Sequence, residues 1–294
     1  MLPFRTIAVL GAGVMGARIA AHLANAGLST LLLDIVPRDL TPEEKKKGLT
    51  LESPPVRNRI VRAGLEAARQ SEPKAFFLPA YAHRIRIGNF DDHLEWLREA
   101  DWIIEAVAER LDIKRALLER VEAVRRPDAI VSSNTSGLPL VHIAAERSKE
   151  FRRYWLGTHF FNPPRYMRLL EVIPIAETAP EVVAAVSEFA DKRLGKTVVR
   201  AKDTPNFIAN RIGTFAVLNA LRLMQEEDLT IEQVDTLTGP LVGFPRSATF
   251  RTADIVGLDV LALVVRNLEA NLPASDERRD LFKLPDFVRT MLER

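Results

Sequence analysis

The 294-residue chain has no cysteine. That absence excludes a disulfide framework, a thiolate metal site and a cysteine nucleophile. Net charge is also nearly absent: 41 basic and 39 acidic side chains leave +2, too small a surplus for a chain dedicated to nucleic acid. No apolar run approaches the ~18 residues of a membrane-spanning helix. The first ten residues pass straight into strand-like sequence, without the layout of a signal peptide. Internal repeats and low-complexity segments are lacking as well. These absences set the expectation of a cytoplasmic protein with no nucleic-acid partner, no membrane span and no metal site. What is present is globular: 47% hydrophobic and 27% charged residues, which excludes disorder and collagen-like structure. A chain of this length buries roughly 75% of its unfolded surface, enough for one large or two small domains.

Periodicity organises the first two hundred residues. Short apolar runs at 6–10, 29–33, 84–87, 102–107, 129–131, 154–160, 169–175 and 197–199 read as strands. Between them lie helical patterns, such as Ile19, Ala20, Leu23 and Ala24, or Val182, Val183, Val186, Phe189 and Ala190. Alternation of this kind predicts an α/β fold with a Rossmann-type, mostly parallel, doubly wound sheet. After Lys202-Asp-Thr-Pro205 the strand signal stops. Phe207, Ile208, Ile212, Phe215, Leu218 and Leu221 recur at helical spacing, and 255–268 and 285–292 read as further helices. The expectation is a sheet domain over 1–200 and a smaller all-α domain over 201–294. Residues 37–80 differ from both. Six prolines and a run of Lys and Arg mark a helical insertion between strands, either a solvated excursion or an arm that contacts a ligand.

Two groups of residues carry chemistry. Gly11, Gly13 and Gly16 form G-x-G-x-x-G after the first strand and at the start of a helix. The first glycine permits the tight turn, the second lets backbone approach a pyrophosphate, and the third lets helix pack on strand. Asp34 follows 18 residues after Gly16, at the end of the second strand, near the expected spacing of about 20. A carboxylate there binds ribose hydroxyls and repels a 2′-phosphate, which predicts NAD rather than NADP. The second group is His159 and Glu171, which flank a turn containing Asn162, Pro163 and Pro164. If 154–160 and 169–175 form a hairpin, the carboxylate faces the imidazole, raises its basicity and fixes its tautomer. Such a pair can take a hydroxyl proton while a hydride leaves the same carbon. Asn134-Thr-Ser136 ends another strand on what should be the same edge.

Taken in order, Gly-Ala-Gly-Val-Met-Gly, Asn-Thr-Ser, His-Phe-Phe-Asn-Pro-Pro, Leu-Glu-Val-Ile and Lys-Asp-Thr-Pro-Asn-Phe-Ile-Ala-Asn-Arg resemble the 3-hydroxyacyl-CoA dehydrogenase family over nearly the whole chain. The resemblance implies oxidation of (S)-3-hydroxyacyl-CoA to 3-ketoacyl-CoA with NAD, a step of fatty-acid β-oxidation. It implies that His159 is the catalytic base and Glu171 the acid that orients it. Ser136 and Asn210 would hold the substrate oxygen and help to set the cofactor pose. Asp34, Glu109, Lys114 and Asn162 would be cofactor contacts. The helical domain would support a homodimer.

Three features depart from the family pattern. Arg18 stands where the family often has glycine, either facing solvent or adding a phosphate contact. The insertion is longer than in stand-alone enzymes. It resembles larger bacterial proteins in which the dehydrogenase precedes an enoyl-CoA hydratase domain. Lys45, Lys46, Lys47, Arg57, Arg59 and Arg62 there are candidates for the phosphates of CoA. Finally, the glycine-, lysine- and aromatic-rich segment that follows in the family is missing after residue 294, so the expectation is a piece of a longer protein. Two other readings stay open: a related β-hydroxyacid or sugar-acid dehydrogenase, and a non-catalytic dinucleotide-binding module.

Overall fold

The structure, a computed structural model, describes residues 4–293. The chain divides into two compact units, one ending at Asp203 and the other starting at Thr204. The first is built on one eight-stranded sheet. Its strands are β1 (Thr6–Leu10), β2 (Ser29–Asp34), β3 (Ile85–Asn89), β4 (Trp102–Glu105), β5 (Ile130–Ser133), β6 (Trp155–Phe160), β7 (Leu169–Pro174) and β8 (Thr197–Arg200). Their order is β3-β2-β1-β4-β5-β6-β7-β8. Every neighbouring pair is parallel except β6 and β7. The chain starts mid-sheet at β1, runs outward to β3, and returns to lay β4 on the other side of β1. Parallel neighbours need crossovers, and helices covering both faces explain why β4 and β5 are buried along their whole length. This is a Rossmann-type fold, with a crevice expected at the carboxyl ends of the strands where the order reverses.

Part of the insertion packs on the sheet unit, while its first helix, Pro42–Lys46, buries no residue. Its helix Arg59–Gln70 buries Val61 and Ala68, and Val56 is buried just before it. Gly64 of that helix packs directly on the glycine loop: a Cβ there would stand 2.0 Å from the carbonyl oxygen of Ala12. Two of its arginines are consumed in holding it. Arg57 forks onto Asp92 with two bonds of 2.6 Å and also reaches Glu52 at 3.2 Å. Arg59 pairs with Glu44 and donates to the Asp39 carbonyl at 2.8 Å. The bond from Arg57, with one from Asn89, pulls the Asp92 carboxyl down to about 2.

Helix Val14–Asn25 follows the glycine loop and buries most of its length, including His22. His22 Nε2 donates to the carbonyl of Leu194 at 3.1 Å, while Nδ1 has no hydrogen-bond partner among the described residues. Burial, reinforced by the positive charge of Lys196, pushes the imidazole down to about 4 from 6.5. A depressed value means that the unfolded chain takes up a proton first as pH falls. Stability from this group is therefore complete above pH 6.5 and is lost as pH falls towards 4. The full loss is about 3 kcal/mol. Carboxylates titrate only near the bottom of that window. Urea unfolding between pH 6.5 and 5 should therefore show a slope that His22→Gln flattens. Equal slopes in the two proteins would show that burial does not hold this imidazole neutral.

The second unit contains no strand among its described residues. Its main helices are Ala209–Glu226 and Leu258–Asn271. Leu218, Leu221, Leu261, Val265, Leu268 and Val288 contribute to its core. The helix expected over 255–268 is broken: Phe250–Val256 stops at Gly257, whose φ of 97° suits glycine, and a new helix starts at Leu258.

Candidate active site

The parallel strands bring several of the sequence-derived candidates to one edge. At the end of β1, Gly11 has φ 102°, and a Cβ on it would lie 2.6 Å from the carbonyl oxygen of Ala106. Gly16 is tighter still, with its Cβ position 1.9 Å from the Gly11 carbonyl oxygen. Gly13, by contrast, is exposed, and among the described residues no atom other than those of its chain neighbours stands within 4 Å of its Cβ position. The helix behind it begins without a side-chain cap and without an acidic residue in its first turn. Its N–H groups and positive dipole end thus suit a pyrophosphate. Asp34, at the end of β2, accepts the Ala12 N–H at 2.6 Å and the Ile35 N–H at 2.7 Å. It therefore holds the loop as well as offering a carboxylate beside it. The donor set and the space over Gly13 fit a dinucleotide.

The second cluster lies at the ends of β4 and β5. Strand β4 stops at Glu105, two residues short of the apolar run, because that side chain turns back to accept the Val107 N–H at 2.7 Å. Lys114, on helix Leu111–Val124, places its ammonium 2.7 and 3.0 Å from the two Glu105 oxygens and 3.2 Å from Glu109. Both members of the Lys114–Glu105 pair are buried. Ser133 donates to Glu105 at 2.6 Å. Glu109 accepts from the Thr135 hydroxyl at 2.5 Å and from the Ser136 N–H at 2.9 Å. Burial pushes the Glu109 carboxyl up, but Lys114, Thr135 and Ser136 outweigh it, so the group sits below its usual range. Lys114 is thus a buried internal partner. Its ammonium is spent on carboxylates, and it acts on Ser136 through Glu109.

The third cluster is the antiparallel pair β6–β7. His159 and Glu171 are direct register partners. His159 Nδ1 donates to Glu171 Oε2 at 2.7 Å, with both side chains buried. A carboxylate on Nδ1 makes Nε2 the basic nitrogen of the ring. Asn134 ties this cluster to the previous one by accepting the Phe160 N–H at 2.9 Å. Asn162 is exposed in the turn and is joined to Pro163 by a cis peptide bond. Arg18 donates to Asn162 Oδ1 at 2.7 Å, linking the helix after the glycine loop to the turn.

Among the six basic candidates of the insertion, Arg57 and Arg59 are committed to carboxylates, while Lys45, Lys46, Lys47 and Arg62 are exposed. Asn210 is the second residue of helix Ala209–Glu226 in the second unit and is half-buried. Sequence reasoning missed Glu105, although a lone acid closing an apolar strand was a usable signal. It also missed Asp203, which caps the helix Leu140–Ile143 by accepting the N–H groups of Leu140 and Val141 at 2.9 and 3.0 Å.

Comparison with known proteins agrees with this layout. Residues 6–204 match the family model for the 3-hydroxyacyl-CoA dehydrogenase NAD binding domain, and residues 207–292 match that for its C-terminal domain. A probable 3-hydroxyacyl-CoA dehydrogenase of Bacillus subtilis is 49% identical over 290 residues, which cover 99% of this chain and 36% of that protein. A protein of the same description from Deinococcus radiodurans is 47% identical over 292 residues, covering 99% and 79%. The crystal structure of (S)-3-hydroxybutyryl-CoA dehydrogenase from Ralstonia eutropha aligns with TM-score 0.76 and 26% sequence identity, covering 99% of this chain and 94% of that one. With both of its domain models matched in order along nearly all of the sequence, the chain belongs to the 3-hydroxyacyl-CoA dehydrogenase family.

Proposed function

We propose that this chain oxidises (S)-3-hydroxyacyl-CoA to 3-ketoacyl-CoA with NAD, as a step of fatty-acid β-oxidation. The observation that carries the reading is the buried His159–Glu171 pair, with Nδ1 and Oε2 2.7 Å apart. NAD, held by the glycine loop and Asp34, would supply the acceptor for the hydride that leaves the hydroxyl-bearing carbon. The chain's own residues do the rest. His159 Nε2 takes the hydroxyl proton, and Glu171 holds the ring in the required tautomer and stabilises it once protonated. Ser136, positioned through Glu109 and Lys114, orients the substrate oxygen, and Asn210 shares that role by the family resemblance. Gly11, Gly13 and Gly16 receive the pyrophosphate, and Asp34 binds the ribose hydroxyls and disfavours a 2′-phosphate. Asn162, Glu109 and Lys114 support the nicotinamide end.

The CoA phosphates fall to Lys45, Lys46, Lys47 and Arg62, the exposed cations of the insertion. An enoyl-CoA hydratase is the natural neighbour in the reaction sequence, because adding water to an enoyl-CoA supplies this substrate. A homodimer formed through the helical unit and a cytoplasmic setting belong to the same proposal. The test is NADH oxidation with acetoacetyl-CoA beside free acetoacetate. Turnover confined to the thioester is the expected result. Equal turnover of the free acid would favour the β-hydroxyacid reading, and NADH binding without turnover would favour a non-catalytic module.

A further inference from the structure

Lys196 has no part in the chemistry above, yet it is buried, with only 3% of its surface exposed. It sits between helix Pro180–Leu194 and β8, just after Gly195, whose φ of 64° ends the helix. Among the described residues no carboxylate lies within ion-pair distance of its ammonium. Nζ instead donates to two backbone carbonyls, those of Pro164 and, at 2.8 Å, Met167, and it lies 5.7 Å from the centre of the Phe160 ring. Both carbonyls belong to the turn that joins β6 to β7, the strands that carry His159 and Glu171. Next to it, the Thr197 N–H donates to the Arg168 carbonyl at 2.8 Å, which registers β8 against the end of the same turn.

A buried ammonium without a counter-ion is costly unless its hydrogen bonds do something a hydrophobic side chain cannot. Here they gather two carbonyls, three residues apart, onto one point. We propose that Lys196 is a positioning residue for the dehydrogenase reaction: by fastening the Pro164 and Met167 carbonyls it sets the β6–β7 turn, and through it the alignment of His159 with Glu171. The proposal rests on the function assigned above. Two other cations hold the turn from more exposed positions. Arg165 donates to the Lys74 and Phe76 carbonyls at 2.9 and 3.0 Å, and Arg18 donates to Asn162. Loss of Lys196 alone therefore misaligns the turn without releasing it.

The test is Lys196→Met, which keeps the bulk and removes both donors. Misplacing a catalytic group by a fraction of an ångström to 1 Å costs roughly ten- to a hundredfold in rate. We expect kcat to fall by about that factor while the KM for NADH stays within about twofold, because the glycine loop is untouched. The proton on His159 Nδ1, observed by NMR, should shift or broaden in the variant. A folded variant with parental kcat and a parental His159 signal overturns the proposal. So does a rate loss that merely follows the fraction of folded protein while the signal is unchanged. Should the parent chain prove inactive on acetoacetyl-CoA, the functional reading fails, and the NMR signal alone decides the role of Lys196. If Lys196→Met does not fold, Lys196→Gln is read the same way. Its shorter amide cannot span both carbonyls, so parental kcat with a parental signal again overturns the proposal.

Discussion

Replacing His159 with glutamine is expected to lower kcat by roughly 10²–10⁴-fold, the usual contribution of a general base. That is about 3–5 kcal/mol of transition-state stabilisation. Glutamine is chosen because Glu171 is almost fully buried and faces His159 across the ladder. Alanine would leave that carboxylate without its neighbour's N–H and confuse lost chemistry with lost stability. A glutamine amide can still donate to Glu171 but cannot accept a substrate proton. The glycine loop follows β1 and Asp34 ends β2, in contacts that do not involve His159. NADH affinity measured by fluorescence titration should therefore remain near the parental value while turnover collapses. Retention of kcat within about threefold of the parent would remove His159 from the role of base and leave the dehydrogenase reading without its central residue.

The His159–Glu171 pair was legible because its signal is local. Two residues flanking a proline-containing turn, each inside an apolar run, become register partners if the runs pair as a hairpin, and they do. Strand positions were legible for a related reason: strands covered on both faces leave short, nearly unbroken apolar runs. The glycines announced themselves through spacing. What failed to read through depended on contacts between distant segments. Arg18 and Asn162 are 144 positions apart, and nothing near either one signals the bond between them. The same holds for Lys196 and the turn it fastens. In the insertion, a count of lysines and arginines could not reveal that Arg57 and Arg59 have acidic partners in the fold. Gly257 was passed over because the apolar spacing continues on both sides of it, although its backbone angle breaks the helix.

Lys114→Met is expected to destabilise the first unit by about 3–5 kcal/mol, the usual result of removing one partner from a buried ion pair. Lys114 and Glu105 are 1% and 0% exposed. Methionine fills similar space, so lost packing contributes little. What remains is a buried Glu105 carboxylate whose donors are the Ser133 hydroxyl and the Val107 N–H. Two bonds do not offset the desolvation of a full charge. The stranded group can relieve the cost by taking up a proton, which it would do more readily folded and buried than unfolded in water. At this site the folded variant then binds more protons than its unfolded chain, so the penalty shrinks as pH falls, and the gap from the parent, in which the shared His22 contribution cancels, narrows towards pH 5. Adding Glu105→Gln removes the stranded charge and should recover most of the loss. NADH affinity should weaken alongside stability in the single variant, because Glu109 loses the ammonium 3.2 Å away that helps it hold Ser136. Urea midpoints for the parent, the single and the double variant between pH 5 and 8 test each step. A single variant within about 1 kcal/mol of the parent throughout that range would mean that the pair adds no net stability. It would then survive in the fold for the alignment of Glu109 and Ser136 alone.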